Sequence, residues 1–156
     1  MKPIRIGLIS DTHGLLRAEA LKELRDSDYI VHAGDICDPA ILDALACIAP
    51  LTAVRGNNDW GPWAERLPQT SKLRVGGVKI LAVHDLGTLD IDLRTAGVQV
   101  VVAGHSHRPQ IETRDGVLFV NPGSAGPRRF RLPVSVAHLH VRGAQVNAEW
   151  RELSVM

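Results

Sequence analysis

Ile4-Arg5-Ile6-Gly7-Leu8-Ile9 runs directly into Ser10-Asp11-Thr12-His13-Gly14, an apolar segment that gives way at once to polar residues. The apolar run from Ile4 to Ile9 has the length of a first buried strand. Asp11 and His13 then stand two residues apart where the chain leaves that strand. In extended backbone, residues i and i+2 point to the same side. A carboxylate oxygen and an imidazole nitrogen would therefore face one point in space, as a metal site requires. Asp-x-His alone also occurs in ordinary loops and turns. It gains weight because similar polar clusters close four later strands.

Downstream, Leu16 to Leu24 carries apolar residues at helical spacing, and Tyr29 to Ala33 forms a second buried strand ending in Gly34-Asp35. Asp38 reads as a helix N-cap with Pro39 at the first helical position. This helix puts Ile41, Leu42, Leu45, Ala46 and Ile48 largely on one face and stops before Pro50. A third strand, Leu51 to Arg55, ends in Gly56-Asn57-Asn58-Asp59. Strand, helix, strand, helix, strand predicts an α/β unit with parallel strands, whose ligands gather at the strands' carboxyl ends.

Trp60 to Gln69 contains Gly61, Pro62 and Pro68 and reads as an irregular loop. Lys72 to Val75 and Val78 to Val83 form a hairpin around Gly76-Gly77, the second strand ending at His84. A short helix is expected over Asp90 to Ala96. Val98 to Ala103 is the most apolar run and ends in Gly104-His105-Ser106-His107. The final third reads as antiparallel strands, Gln110 to Arg114, Val117 to Val120, Val134 to Val141 and Gln145 to Arg151, turned by Asp115-Gly116 and Arg142-Gly143. The whole predicts one α/β (α+β) domain, 1–156, with two sheets packed as a sandwich and helices outside.

Composition sets outer limits. The 156 residues suit one domain with a sizeable core. A formal net charge of +1 gives no broad nucleic-acid-binding surface, and 4% aromatic content argues against base-stacking platforms. No nucleic-acid polymer is expected as a partner. No apolar run approaches a membrane span and no signal-peptide core is evident, so cytoplasmic residence is the expectation. Cys37 and Cys47 have no disulfide or zinc-finger spacing; both are expected to be filler, Cys47 as helix core.

Five strand ends thus present Asp11 with His13, Asp35, Asn57, His84, and His105 with His107. Glycine precedes three of these groups and lets the backbone turn sharply near a bound ion. Two carboxylates, one amide oxygen and four imidazoles are too rich in nitrogen for calcium or all-oxygen magnesium. The set suits manganese, iron, cobalt, nickel or zinc. Seven groups exceed one tetrahedral ion, so two ions sharing a bridging ligand is the economical reading. His32, His138 and His140 are expected to be ordinary polar residues.

The ordered set Asp-x-His, Gly-Asp, Gly-Asn, His, Gly-His-x-His resembles the calcineurin-like metallophosphoesterase superfamily, and more closely its small single-domain prokaryotic phosphodiesterases. The resemblance runs from Ile4 to the strand around Val134 to Leu139 and includes Asn121-Pro122-Gly123-Ser124 with Pro127-Arg128. It implies a four-layer fold of two mixed sheets flanked by helices. It implies that Asp11, His13 and His107 bind one metal, that Asp35 bridges, and that Asn57, His84 and His105 bind the second. It also implies in-line attack on phosphorus by a metal-bridging hydroxide, with manganese the first choice of metal and nickel, iron, cobalt or zinc as substitutes. A small-molecule phosphoester is the implied partner, and a homodimer or higher homo-oligomer the implied assembly.

Two residues depart from the family pattern. Many members carry Gly-Asn-His-Glu at the third cluster, where the His contacts phosphate and protonates the leaving group. Here Asn58 takes that place; it offers a hydrogen bond to a phosphate oxygen but no proton at neutral pH. Asp85 follows His84 where glycine is common, and reads equally as a support for a ligand or as a solvent-facing group. The leading expectation is a dinuclear-metal-dependent phosphodiesterase acting on a small or nucleotide-like diester. The alternatives are a phosphomonoesterase and a non-catalytic scaffold of the retromer-subunit type, against which the complete ligand set argues. Arg128, Arg129 and Arg131 read as a solvated basic turn.

Overall fold

The computed structural model describes residues 2–155. Ten strands form two mixed five-stranded sheets. β1 (Ile4–Ile9), β2 (Tyr29–His32) and β3 (Leu51–Ala53) pair in parallel, and β9 (Ser135–Arg142) and β10 (Gln145–Glu152) extend that sheet antiparallel beyond β1 in the order β10-β9-β1-β2-β3. The second sheet has the order β4-β5-β6-β8-β7, from β4 (Thr70–Val75), β5 (Val78–Val83), β6 (Val100–Ala103), β7 (Gln110–Arg114) and β8 (Val117–Asn121). Here β5, β6 and β8 are parallel, while β4 and β7 are antiparallel edges. The final third is therefore not purely antiparallel: β8 turns back from β7 by the Asp115-Gly116 hairpin and enters beside β6 in the parallel sense. The last hairpin crosses to the first sheet. Its tight turn is Gly143-Ala144, flanked by the Arg142–Gln145 pair, rather than Arg142-Gly143.

The sheets face each other across one apolar core. Ile6, Leu8, Val31, Leu139 and Val141 of the first meet Val78, Ile80, Ala82, Val100 and Val102 of the second. Alternate residues of the first sheet, Ile9, Ile30 and Val136, point outward beneath α1 (Ala18–Leu24) and α2 (Pro39–Ala46), which supply Leu24, Ile41 and Leu45. Strands covered on both faces need near-continuous apolar sequence, as β1 and β6 have. The α2 cap is as expected: Asp38 accepts the Ala40 N–H at 2.9 Å and Pro39 opens the helix. Cys47, expected in the core, is exposed at the C-cap; two residues past the buried Leu45, it lies roughly 200° around the helix.

Two local expectations fail for identifiable reasons. Asp90 to Ala96 forms turns, not a helix. Asp92 binds the Thr95 N–H at 3.3 Å and its hydroxyl at 2.8 Å, as a helix cap would, but left-handed Gly97 (φ 74°) ends the chain's turn at once, and a single turn is too short to nucleate well. Leu89, Leu93 and Ala96 still cover the outer face of the second sheet. Trp60 to Gln69, expected to be irregular, contains the one-turn helix α3 (Pro62–Glu65); Gly61 at φ 102° followed by Pro62 at the first helical position is a helix-start signal. Trp63 of this helix packs against the outer core of the first sheet, whereas Trp60 is 71% exposed. Among the described residues, no helix is long and apolar enough to cross a membrane.

Because β1, β2, β3, β5, β6 and β8 run in parallel within their sheets, the loops carrying the polar clusters all leave carboxyl ends, and the two sheets bring these loops to one edge of the sandwich.

Candidate metal centre

The loops at this edge are held in a sparsely populated backbone conformation. Asp11, His13, Asp35, Cys37, His105 and His107 have φ between 46° and 74°, six of the eight non-glycine residues with positive φ. Each such residue costs on the order of 1–3 kcal/mol, and such strain concentrates at functional sites. The expected presentation of Asp11 and His13 from extended backbone is therefore incorrect; both pairs, Asp11/His13 and His105/His107, are aimed from left-handed residues. Tertiary hydrogen bonds hold them there. The Asp11, His13 and Gly14 N–H groups donate to Gly34, Asp35 and Ile36 carbonyls at 2.9–3.0 Å, stitching the β1 and β2 loops together.

Close approach of the loops also explains two glycines. A Cβ on Gly56 would collide with the backbone nitrogen and Oδ1 of Asp35, and one on Gly104 with Ser10 Oγ and, at 2.7 Å, with Asp11 Oδ2. The glycines thus admit neighbouring loops.

Five of the seven expected ligands converge tightly, with Asn57 alongside. His13 Nε2 and His107 Nε2 lie 3.2 Å apart, and Asp11 Oδ1 is 3.7 and 3.5 Å from them. Asp35 Oδ2 sits 3.6 Å from His13 Nε2 and 3.3 Å from His84 Nε2, touching both sides of the site. Asn57 Oδ1 is 3.0 Å from His84 Nε2. Asp11, His13 and His107 form one group able to hold an ion, and Asp11, Asp35 and His84 another. His105 stands at the rim: its ring is edge-on to His84 at 5.2 Å and its Nε2 is 3.9 Å from Asp85 Oδ2. Asn58 is turned onto Asp35, its backbone N–H donating to Oδ1 and its Nδ2 to Oδ2, both at 2.9 Å.

These groups fit divalent cations better than they fit one another. Asp11 Oδ2 accepts from Ser10 Oγ and the His105 N–H, but buried Oδ1 has no hydrogen-bond partner among the described residues. His84 Nδ1 donates to the Ala33 carbonyl at 2.8 Å, so a neutral ring directs the Nε2 lone pair at two oxygens. The backbone bond to the far nitrogen is the support that metal-binding histidines ordinarily have. Without a cation, burial works against charge on His84, yet its bond to Asp35 and the charges of Asp11 and Asp35 raise its pKa. Burial likewise opposes ionisation of Asp11 and Asp35, but the neighbouring His13 ring and the Ser10 hydroxyl, and for Asp35 His84 and Asn58, hold both carboxyls below their ordinary range. Burial pushes the His107 pKa down, assisted by Arg129.

Two supporting residues escaped the sequence reading. Buried Asp59 accepts four backbone N–H bonds: Oδ1 from Ile36 and Cys37 at 2.8 Å, Oδ2 from Asp35 at 3.1 Å and Gly56 at 2.8 Å. Its signal was an aspartate closing a Gly-Asn-Asn-Asp turn, a common local acceptor. His32, expected to be unremarkable, is fully buried. Its Nδ1 accepts the Gly34 N–H at 3.1 Å, so Nε2 donates to Thr12 Oγ1 at 3.0 Å, and Thr12 donates to the Ile36 carbonyl. Burial pushes its pKa down to about 3.

The remaining expectations resolve simply. Cys37 donates to the Asn58 carbonyl, and burial, then Asp59, Asp35 and Asp11, push its thiol up to about 11. Asp85 caps the 3-10 turn Leu86–Thr88, Oδ1 accepting the Gly87 N–H at 2.9 Å, and remains half-exposed. Arg128, Arg129 and Arg131 are exposed.

The chain matches the calcineurin-like phosphoesterase superfamily domain over residues 4–144. It is 36% identical over 132 residues to a probable metallophosphoesterase of Methanocaldococcus jannaschii, covering 76% of this chain and 67% of the relative. A probable metallophosphoesterase of Methanothermobacter thermautotrophicus is 32% identical over 159 residues, covering 92% and 90%. A phosphodiesterase of M. jannaschii is 25% identical over 138 residues, covering 77% and 83%. In fold, the chain is similar to vacuolar protein sorting 29 of Cryptosporidium parvum (TM-score 0.79, 21% identity, 99% and 100% covered). It is equally similar to an archaeal phosphodiesterase (TM-score 0.78, 21% identity, 95% and 100% covered).

Proposed function

We propose a dinuclear-metal-dependent phosphodiesterase activity from one premise: this chain belongs to the calcineurin-like phosphoesterase superfamily. One observation carries the reading. The partnerless Asp11 Oδ1 and the shared Asp35 Oδ2 lie 3.3–3.7 Å from three imidazole nitrogens, so that buried carboxylate oxygens and ring nitrogens converge on one small volume. Asp11, His13 and His107 would hold one ion, and Asn57, His84 and His105 the other, with Asp35 shared. Manganese is the first candidate, with nickel, iron, cobalt and zinc compatible with the same donors. When bound, the ions supply Lewis acidity, lowering the pKa of water and offsetting the phosphate's charge for in-line displacement.

The chain's own residues supply the rest. Ser10 and the His105 N–H fix Asp11; Asn58 fixes Asp35. Asn58 Nδ2 retains a second N–H to offer a phosphate oxygen but has no proton for a leaving group. Esters with good leaving groups, small or nucleotide-like, are therefore the favoured substrates. Manganese-dependent cleavage of an activated aryl phosphodiester tests the proposal. A folded protein inactive with manganese, nickel, cobalt and zinc would overturn it. Fold similarity to a vacuolar sorting protein keeps a scaffold reading in view, and the same assay separates the two.

A further inference from the structure

On the reading just given, a phosphate binds against Asn57, His84 and His105, and the surface divides there. A pocket of about 220 Å³ opens beside His105, lined by Glu112, Arg114 and Asn121. Another of about 270 Å³ opens beside Asn57 and His84, lined by Arg55 and Gln69. Asp85 lines both. Each is below the roughly 300–1,000 Å³ typical of small-molecule sites, so each admits only a small group. Two small pockets that share Asp85 and border His105 on one hand and Asn57 and His84 on the other suit the two substituents of a diester.

Asp85 has more charge than its structural task needs. Oδ1 accepts the Gly87 N–H, a bond that asparagine would also accept at an N-cap. Oδ2 is 3.9 Å from His105 Nε2, beyond hydrogen-bond reach, and the side chain is 43% exposed. That is its one ion pair among the described residues, and a metal-binding histidine is neutral. The other carboxylate of the first pocket, Glu112, is offset by Arg114 at 3.6 Å.

The geometry points to Asp85 as a specificity-determining residue that selects diesters against monoesters. Its carboxylate, which lines both pockets and stands beside His105, repels the second negative charge of a monoester dianion, a charge the diester lacks. Specificity by a repulsive element of this kind is common. For half-exposed charges several ångströms apart, discrimination of about five-fold is expected.

Asp85→Asn keeps the cap and removes the charge. With manganese at about pH 8, where the monoester is a dianion, kcat/KM for p-nitrophenyl phosphate relative to methyl p-nitrophenyl phosphate should rise about five-fold in the variant. The difference should shrink in about 1 M salt. Calorimetry of the manganese-loaded proteins should show the same relative gain for inorganic phosphate over dimethyl phosphate, independently of turnover. A role confined to the cap would shift the melting temperature and leave both ratios alone. Unchanged ratios, in a protein that cleaves the diester, overturn the role of Asp85 and leave the phosphodiesterase reading intact. If the wild-type protein cleaves neither ester, that reading falls and the binding ratio decides Asp85; absence of phosphate binding overturns both.

Discussion

Asp35 is the residue on which the centre turns, because its Oδ2 touches both sides of the site. Asp35→Asn should abolish diester cleavage while the far-ultraviolet dichroism stays close to wild type; the amide keeps the shape, loses the charge and keeps one of the two acceptors that Asn58 uses, so a modest fall in melting temperature is expected. Full activity in that variant would remove the shared-ligand assignment. His32 governs acid stability instead. Its folded pKa, about 3, lies below the ordinary 6.5, so the unfolded chain holds the extra proton between those values. Its contribution is complete above pH 6.5 and is lost as the pH falls towards 3. At about 1.4 kcal/mol per unit, on the order of 3 kcal/mol disappears between pH 6.5 and pH 4. Urea unfolding of metal-free protein across that range should give a shallower slope for His32→Gln; equal slopes would sink the assignment.

Loop elements are fixed by contacts between them. Asp59 reaches from the β3 loop into the β2 loop and occupies four N–H groups there and in its own turn. Asp59→Ala leaves buried donors unpaired, at about 1–3 kcal/mol for each that finds no water. A loss on the order of 4 kcal/mol in denaturant unfolding is expected, together with weaker manganese binding by calorimetry. Asp59→Asn keeps one carbonyl oxygen and should fall between wild type and alanine. An alanine variant with unchanged stability and metal affinity would show that the loops hold their strained backbone without this carboxylate.

Across the whole molecule, folding of both sheets must come before the proposed centre exists, because its candidate ligands span Asp11 to His107. Metal binding is therefore linked to global stability. At a free manganese concentration one hundred times its Kd, stabilisation is about 2.7 kcal/mol. For a chain of this size that raises the melting temperature by roughly 5–11 °C. Calorimetric scans with manganese and with a chelator measure the difference; coincident scans would show that the converged groups hold no ion.

Much of this is written in short stretches of the sequence. Apolar runs marked β1, β2, β5 and β6, because burial on both faces requires them, and Asp38-Pro39 marked the start of α2. The candidate ligands are marked because each stands where an apolar run ends and polar chemistry resumes. Those signals are local in sequence. The left-handed backbone at Asp11, His13, His105 and His107 was not readable, since a non-glycine residue stays there only when distant segments hold it. The parallel entry of β8 beside β6, Asp59 bound to a loop more than twenty residues earlier, and Asp85 between two pockets are likewise relations between remote segments. Which groups can bind metal, and at which strand ends, follows from local sequence, because donor chemistry and apolar runs are local properties. That five of them meet within a few ångströms while His105 stands at the rim follows from the fold, because packing two sheets together sets distances that no local pattern encodes.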